Sequence, residues 1–445
     1  MKINIVPIIL VMTLSVCSII RSSAQQKKQW TLRECVKYAT DHNISIQQSQ
    51  LNIEESELAK ESAKGNFLPS VNASATNAWN IGLAPDPVSG QNQRATKMNT
   101  SIGANVQLDL FTGLKNQRLL DRAKLSIISS QYQLDDMKDN ISLNVANSFL
   151  GILFNQESLR VLHTQKEITK SEIERTNELI LAGIVPKGDI YAIEASLADI
   201  EQRIVNTEND VNLSKINLGQ MLLLEDYLSF DIAYDSVELD TSSKALQANA
   251  QEIIDYAAIT RNNIKMREAN IEVAEQELAV SRTGYSPTLA AFYNIDTRAS
   301  DALPDGYGTQ FNDNLGHRFG LTLRIPIFNK YQNDINIQRN KLNVERAKLS
   351  YEQTKIELES SVNQAINDAH GAIKAYHAAE RTAFARKEAF RYAEERFNAG
   401  AINSFEYQQT KQQMENADSQ VIRSKYDCIF KIKILEFYFG IPLSD

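Results

Sequence analysis

The segment Ser101-Ile102-Gly103-Ala104-Asn105-Val106-Gln107-Leu108-Asp109-Leu110-Phe111 alternates without a break: the even positions are apolar, and the odd ones include Ser101, Asn105, Gln107 and Asp109. Successive side chains of a β-strand point to opposite faces, so this is a strand with one greasy and one polar side. Arg318 to Phe328 repeats the pattern, with Phe319, Leu321, Leu323, Ile325 and Ile327 against Arg318, Gly320, Thr322 and Arg324. Two looser alternations precede these. Val71, Ala73, Ala75, Trp79 and Ile81 oppose Ser70, Asn72, Ser74, Thr76 and Asn80, and Leu289, Ala291, Tyr293 and Ile295 oppose Thr288, Asn294 and Asp296. Polar stretches containing Gly and Pro, Gly82 to Asn99 and Arg298 to Asn314, read as the loops that make each pair a hairpin.

Tilted strands of about 10 residues match the thickness of a bilayer, and apolar-out, polar-in alternation is the pattern of a transmembrane barrel. A soluble sandwich would instead show many short strands with turns every ~8–12 residues. Known barrels have at least about eight strands, whereas this chain offers four. An open sheet edge in lipid leaves backbone groups unpaired at several kcal/mol each, so closure must come from other chains. Strand physics requires two or more copies and does not choose the number.

Between the hairpins lie long intervals nearly free of helix breakers. Leu114 to Leu181 contains no Pro and only Gly151, and Lys330 to Asn398 contains no Pro and only Gly371. At 1.5 Å per residue each interval predicts a helix of roughly 100 Å. Apolar residues recur at heptad spacing, Leu120, Ile127, Leu134 and Ile141 in the first and Leu342, Leu349 and Ile356 in the second, which suits coiled-coil packing. The alternative on these helices alone is an exported coiled-coil structural or adaptor protein without a pore.

Lys2, the apolar run Ile3 to Ile20 and the small residues Ser22-Ser23-Ala24 predict a cleaved secretory signal over 1–24. Lipidation at Cys17 is the competing reading, with Leu14 three residues before it, but Val16 stands where a small residue is wanted. Loss of Lys2 and Arg21 takes the net charge from −8 to −10, which gives no reason to expect nucleic acid as a partner. No later stretch is apolar enough for a membrane helix, so strands are the route into a bilayer. Cys35 and Cys428 are too few for a disulfide scaffold and read as ordinary buried residues. No phosphate loop, metal spacing or catalytic order stands out. His370 and His377 share a helix face but lack a third ligand. The expectation is a non-enzyme with no cofactor.

An internal correspondence at an offset of 217 joins Phe111 to Phe328, Leu125 to Leu342, Ile141 to Leu358, Val145 to Val362, Ala182-Gly183 to Ala399-Gly400 and Asp189 to Glu406. The expected organisation is a first repeat over 25–224 with its hairpin at about 67–112, a linker over 225–247, and a second repeat over 248–445 with its hairpin at about 285–328. Trp30-Thr31-Leu32 with Val36, Ala39 and Asn43, Phe67-Leu68-Pro69-Ser70, Val106-Gln107-Leu108 before Phe111, Ala182-Gly183 before Asp189, Leu323-Arg324-Ile325-Pro326-Ile327-Phe328, and Ala399-Gly400 before Glu406 carry a specific resemblance. In this order the chain resembles the TolC family of outer-membrane efflux and secretion proteins over nearly its whole mature length.

That resemblance implies a mixed fold of α-helices and transmembrane β-strands. Four strands per protomer would enter a twelve-stranded trimeric barrel, continued by a long α-helical periplasmic tunnel. It implies a homotrimer in outer-membrane lipid of a Gram-negative bacterium, docked to a periplasmic adaptor and an inner-membrane pump of RND or ABC type. Alternation predicts Asn105, Gln107, Asp109, Thr322 and Arg324 as lumen-facing and Ile102, Val106 and Leu108 as lipid-facing.

The turns holding Gly183 and Pro186, and Gly400, join two helices in each half and fall at the far end of the long helices. In the family this is the closed periplasmic tip. Candidate gate residues are Asp189, Phe397, Ile402, Phe405, Glu406 and Gln409. Glu406 takes the first acidic place of the family's carboxylate ring, Gln409 replaces the second, Phe397 matches a frequent aromatic, and Ile402 replaces a basic residue. Asp189 and Glu406 also suit a plainer role, complementing the dipole of the helices they begin.

Overall fold

The computed structural model describes residues 29–441 apart from 86–89, 184, 228–229, 234–238 and 240–241. The signal segment and Cys17 lie outside the described residues. In chain order the elements are β1 (Gln29–Trp30), α1 (Leu32–His42), α2 (Ile44–Gly65), β2 (Ser70–Pro85), β3 (Asn92–Phe111), α3 (Lys115–Leu181), α4 (Asp189–Met221), β4 (Asp231–Ile232) and α5 (Lys244–Gln247). There follow α6 (Ala250–Thr260), α7 (Asn262–Arg282), β5 (Thr288–Ser300), α8 (Tyr307–Asp313), β6 (Gly316–Arg324), α9 (Gln332–Asn398) and α10 (Ser404–Phe439). The two expected long helices are present, and each has 67 residues. Among the described residues no helix is long and apolar enough to cross a membrane.

The chain divides into two compact units, one of residues 45–137 and 254–361, the other of residues 1–44, 138–253 and 362–445. The first unit carries a four-stranded antiparallel sheet in the order β2-β3-β5-β6, so the two hairpins join through β3 and β5. β2 and β3 run on to Pro85 and from Asn92, which replaces most of the loop expected at Gly82 to Asn99 with paired strand. The loop expected at Arg298 to Asn314 is likewise ordered: β5 continues to Ser300 and α8 follows. Its organiser is the buried Gln310. The side-chain amide donates to Ser300 O (3.0 Å) and Asp305 O (2.5 Å) and accepts from Ser300 N (2.8 Å).

The last alternating segment is shorter than its sequence pattern. β6 ends at Arg324, and Ile325, Ile327 and Phe328 are exposed beyond the ladder. Pro326 has no N–H to donate, and alternation of side chains alone does not supply strand pairing. Both strand-to-helix junctions use left-handed backbone, at Gly113 and Leu114 (φ 65° and 68°) and at Lys330 and Tyr331 (φ 56° and 62°). Three of these four carry side chains, a conformation that costs roughly 1–2 kcal/mol per residue.

The second unit explains the Trp30-Thr31-Leu32 motif. Thr31 Oγ1 accepts from Glu34 N (3.2 Å) while Glu34 Oε2 accepts from Thr31 N (3.0 Å), a capping box that starts α1. Trp30 packs edge-on against Tyr38 and Phe230, and β1 pairs in parallel with β4. Beneath them Cys35, Ala39, Val145, Phe149, Ile152, Leu153, Leu218 and Leu222 form the buried core. Asn43 closes the end of α1 by donating its amide to Met221 O (3.2 Å). Cys35 and Cys428 are both free and buried, and burial pushes the Cys428 thiol up to about 11.

Candidate functional site

Register turns the alternation of single strands into two continuous faces. Across β2, β3, β5 and β6 one row reads Asn72, Asn105, Asn294, Arg318; the next Ser70, Gln107, Phe292, Gly320; then Asp109, Ala290, Thr322 on three strands; and last Thr288, Arg324 on two. The opposite face reads Val71, Val106, Tyr293, Phe319, then Leu108, Ala291, Leu321, then Leu289, Leu323. The five residues expected on the polar side, Asn105, Gln107, Asp109, Thr322 and Arg324, all line one cleft of about 720 Å³ on that side. Asn105 donates its amide to Asn294 across the sheet. The apolar face is bare in a single copy: Val71, Ile81, Phe319, Leu321 and Leu323 are all exposed, Phe319 at 82%. Exposed apolar area on this scale marks a surface made to be covered.

The two helix-end turns share a mechanism. Gly183 and Gly400 stop α3 and α9 with φ of 71° and 70°. After α9, Gly400 N donates to Phe397 O (2.9 Å) and Ala401 N to Arg396 O (2.8 Å), a Schellman closure that favours glycine. The next helices start differently. Asn403 caps α10 by accepting from Glu406 N (2.9 Å), whereas α4 has no side-chain cap and begins after a turn in which Asp189 N donates to Pro186 O (3.2 Å).

Of the candidate gate residues, Ile402 is buried with Ala393 and Tyr407, and Phe397 stacks on Tyr407 at 4.7 Å between ring centroids. Phe405 is 75% exposed and Gln409 is exposed. Asp189 is half-buried at the first residue of α4. Glu406 lies in the first turn of α10 and meets Arg396 Nη1 at 3.5 Å across the turn. The cation that meets Glu406 in this turn is therefore Arg396, six residues before Ile402.

Just beyond this turn is a polar array that the sequence reading missed. Lys411 Nζ donates to Glu172 Oε2 (2.5 Å) and Thr169 Oγ1 (2.9 Å), and Tyr407 Oη donates to Glu172 Oε1 (2.7 Å). The Lys411 side chain is 3% exposed, so this is a desolvated pair, with a hydroxyl and a phenol completing it. Burial first, and the Glu172 carboxylate second, hold the Tyr407 hydroxyl well above its ordinary value. Glu415, one turn further on, is also buried, and desolvation raises its carboxyl while Lys411 and Arg203 pull the other way. The signal was present as polar spacing: Gln165, Thr169, Glu172 and Thr176 fall on one face of α3, and Tyr407, Lys411 and Glu415 on one face of α10.

With these features in view, comparison with known proteins is decisive. The model of the family described as outer membrane efflux protein matches the chain twice, over residues 36–222 and 253–429. The chain belongs to the outer membrane efflux protein family. This is a family of channel and transport proteins, and the chain is similar to outer membrane protein TolC of Vibrio cholerae serotype O1, 22% identical over 275 residues. That match spans 60% of this chain and 58% of TolC. Among solved structures, CusC superposes with a TM-score of 0.79 at 14% identity, over 94% of this chain and 96% of that one. The Campylobacter jejuni CmeC outer membrane channel does so with a TM-score of 0.77 at 17% identity, over 92% and 85%. At such identities these likenesses show the fold: long helices and a small sheet in the arrangement of an outer membrane efflux protein.

Proposed function

We propose that the chain is the outer-membrane channel component of a tripartite efflux pump or a type I secretion system. It would act as a passive duct for small molecules or proteins across the periplasm and outer membrane. The observation that carries this reading is the sheet with one polar face, one bare apolar face and two free edges, β2 and β6. Unpaired edges in lipid cost several kcal/mol per backbone group, so β6 of one copy closes on β2 of the next. Three copies of four strands make the twelve-stranded barrel of the family. The helices form the tunnel, and the turns at Gly183 and Gly400 form its periplasmic tip, with Asp189, Phe397, Ile402, Phe405, Glu406 and Gln409 as its candidate gate.

The repeat organisation belongs to the same proposal. α3 and α9 are equal in length and their ends stand 217 residues apart, and the double family match supports repeats over 25–224 and 248–445 with a linker at 225–247. A cleaved signal at 1–24 would direct export to the outer membrane of a Gram-negative bacterium, where a periplasmic adaptor and an inner-membrane RND or ABC pump would complete the assembly.

Cysteine labelling tests the duct. Single cysteines at Gln107 and Leu108 should separate: the first reacts with a water-borne maleimide from the lumen, and the second only with a lipid-soluble one. Equal labelling of both by the water-borne reagent, in a protein recovered from the soluble fraction, would overturn the proposal in favour of a pore-less coiled-coil protein.

A further inference from the structure

The chain as a whole is acidic, with a formal net charge of −8, yet the cleft on the polar face of the sheet is basic. It is lined by Lys115, Arg318 and Arg324 against the single carboxylate of Asp109. Along the same face β5 adds Asp296 and Arg298, which offset each other. Among the described residues no ion pair neutralises Lys115, Arg318 or Arg324, all three of which are exposed in the cleft. Three cations facing one acid, a surplus of two positive charges, are a poor arrangement for stability. Their mutual repulsion is a cost that a sheet with Thr or Ser at these positions would avoid.

The residues between the two arginines sharpen the chemistry. Arg318 ends a row of amides, Asn72, Asn105 and Asn294, whose N–H groups add neutral donors beside the guanidinium. Phe292 is the aromatic residue in these rows of the polar face. Its ring lies over Gly320, two residues from Arg318 and four from Arg324, and a Cβ on Gly320 would meet Phe292 Cζ at 2.8 Å. Glycine there leaves room for an aromatic ledge set between two guanidinium groups. Guanidinium forks and amide donors recognise carboxylate, sulfonate or phosphate oxygens, and an aromatic ring recognises an apolar body.

We propose that the barrel section of this duct is selective for anions, and that its preferred cargo is an amphiphilic organic anion whose acidic group meets Arg318 and Arg324 while its apolar body passes over Phe292. The inference rests on the duct reading, because only closure of the sheet brings copies of this face around one lumen. A ring of like charges in a confined aqueous pore concentrates counter-ions and excludes co-ions.

Planar bilayers test it with the full-length protein in a KCl gradient. The reversal potential should report chloride passing more readily than potassium, by about threefold. Arg318→Glu with Arg324→Glu should reverse that preference, and the milder Arg318→Gln with Arg324→Gln, which leaves less risk to folding, should bring it close to unity. Replacing chloride by benzoate should slow current through the wild type by transient occupancy, and Phe292→Ala should relieve that slowing without changing the sign of the chloride preference. A potassium preference in the wild type, or a reversal potential that ignores both arginine pairs, overturns the proposal while leaving the duct intact. Absence of any conductance, with the protein recovered as a soluble monomer, would instead remove the duct reading on which it rests.

Discussion

The two 67-residue helices match in length but not in what covers them. On α3 the heptad residue Leu134 is 5% exposed within one copy, and Leu120 and Ile127 are half-buried. On α9 the heptad residues Leu342, Leu349 and Ile356 are each 60% exposed or more. The same apolar spacing therefore finishes a protomer in one half and leaves a stripe unfinished in the other. In water a bare apolar stripe of this length is a seam awaiting a partner, and in the proposed duct that partner would be the neighbouring copy.

The largest expected effect falls on the uncovered stripe. Leu349→Asp should leave each copy helical by circular dichroism and abolish the assembled oligomer on native gels; an intact oligomer would mean the stripe faces solvent. The covered stripe should respond in the opposite way. Leu134→Ala opens a cavity inside one copy and should cost about 2–5 kcal/mol in denaturant unfolding, while any protein that folds still assembles.

A third contrast sets the buried pair beside the exposed one. Lys411→Met strips Glu172 of its charged partner and should destabilise the second unit by about 3 kcal/mol. Beside it, Glu415 has its carboxyl raised by burial, so the folded state holds its proton to higher pH than the unfolded chain does. The sign follows from linkage: stability should fall as pH rises from the ordinary carboxylate value through the raised one, and Glu415→Gln should flatten that slope in urea titrations. The smallest effect should come from Glu406→Gln. Its pair with Arg396 is exposed on both sides, so thermal unfolding should shift by less than about 0.5 kcal/mol even if conductance responds.

How legible this was depended on the kind of signal. The strands and long helices were readable because alternation and the absence of Pro and Gly act locally, residue by residue. Arg318 to Phe328 marks the limit: Ile325 and Ile327 keep the alternation, but pairing ends at Arg324, because strand length is set by what the neighbour offers. The ordered loop after Ser300 depends on Gln310 reaching back ten residues, which no periodicity announces. At the turn, Gly183 and Gly400 were readable from backbone chemistry alone. Arg396 beside Glu406, and Glu172 between Tyr407 and Lys411, were not, since they require knowing which helix faces meet. The two faces of the sheet were predicted strand by strand, whereas the aromatic ledge of Phe292 over Gly320 emerged only from register.

The central claim is that four strands from each of three copies close one barrel. Native mass spectrometry of the protein extracted from outer membranes in mild detergent addresses it most directly. The account predicts a single assembled species of three copies, lost in Leu349→Asp. A monomer, or an assembly of any other number, would contradict it.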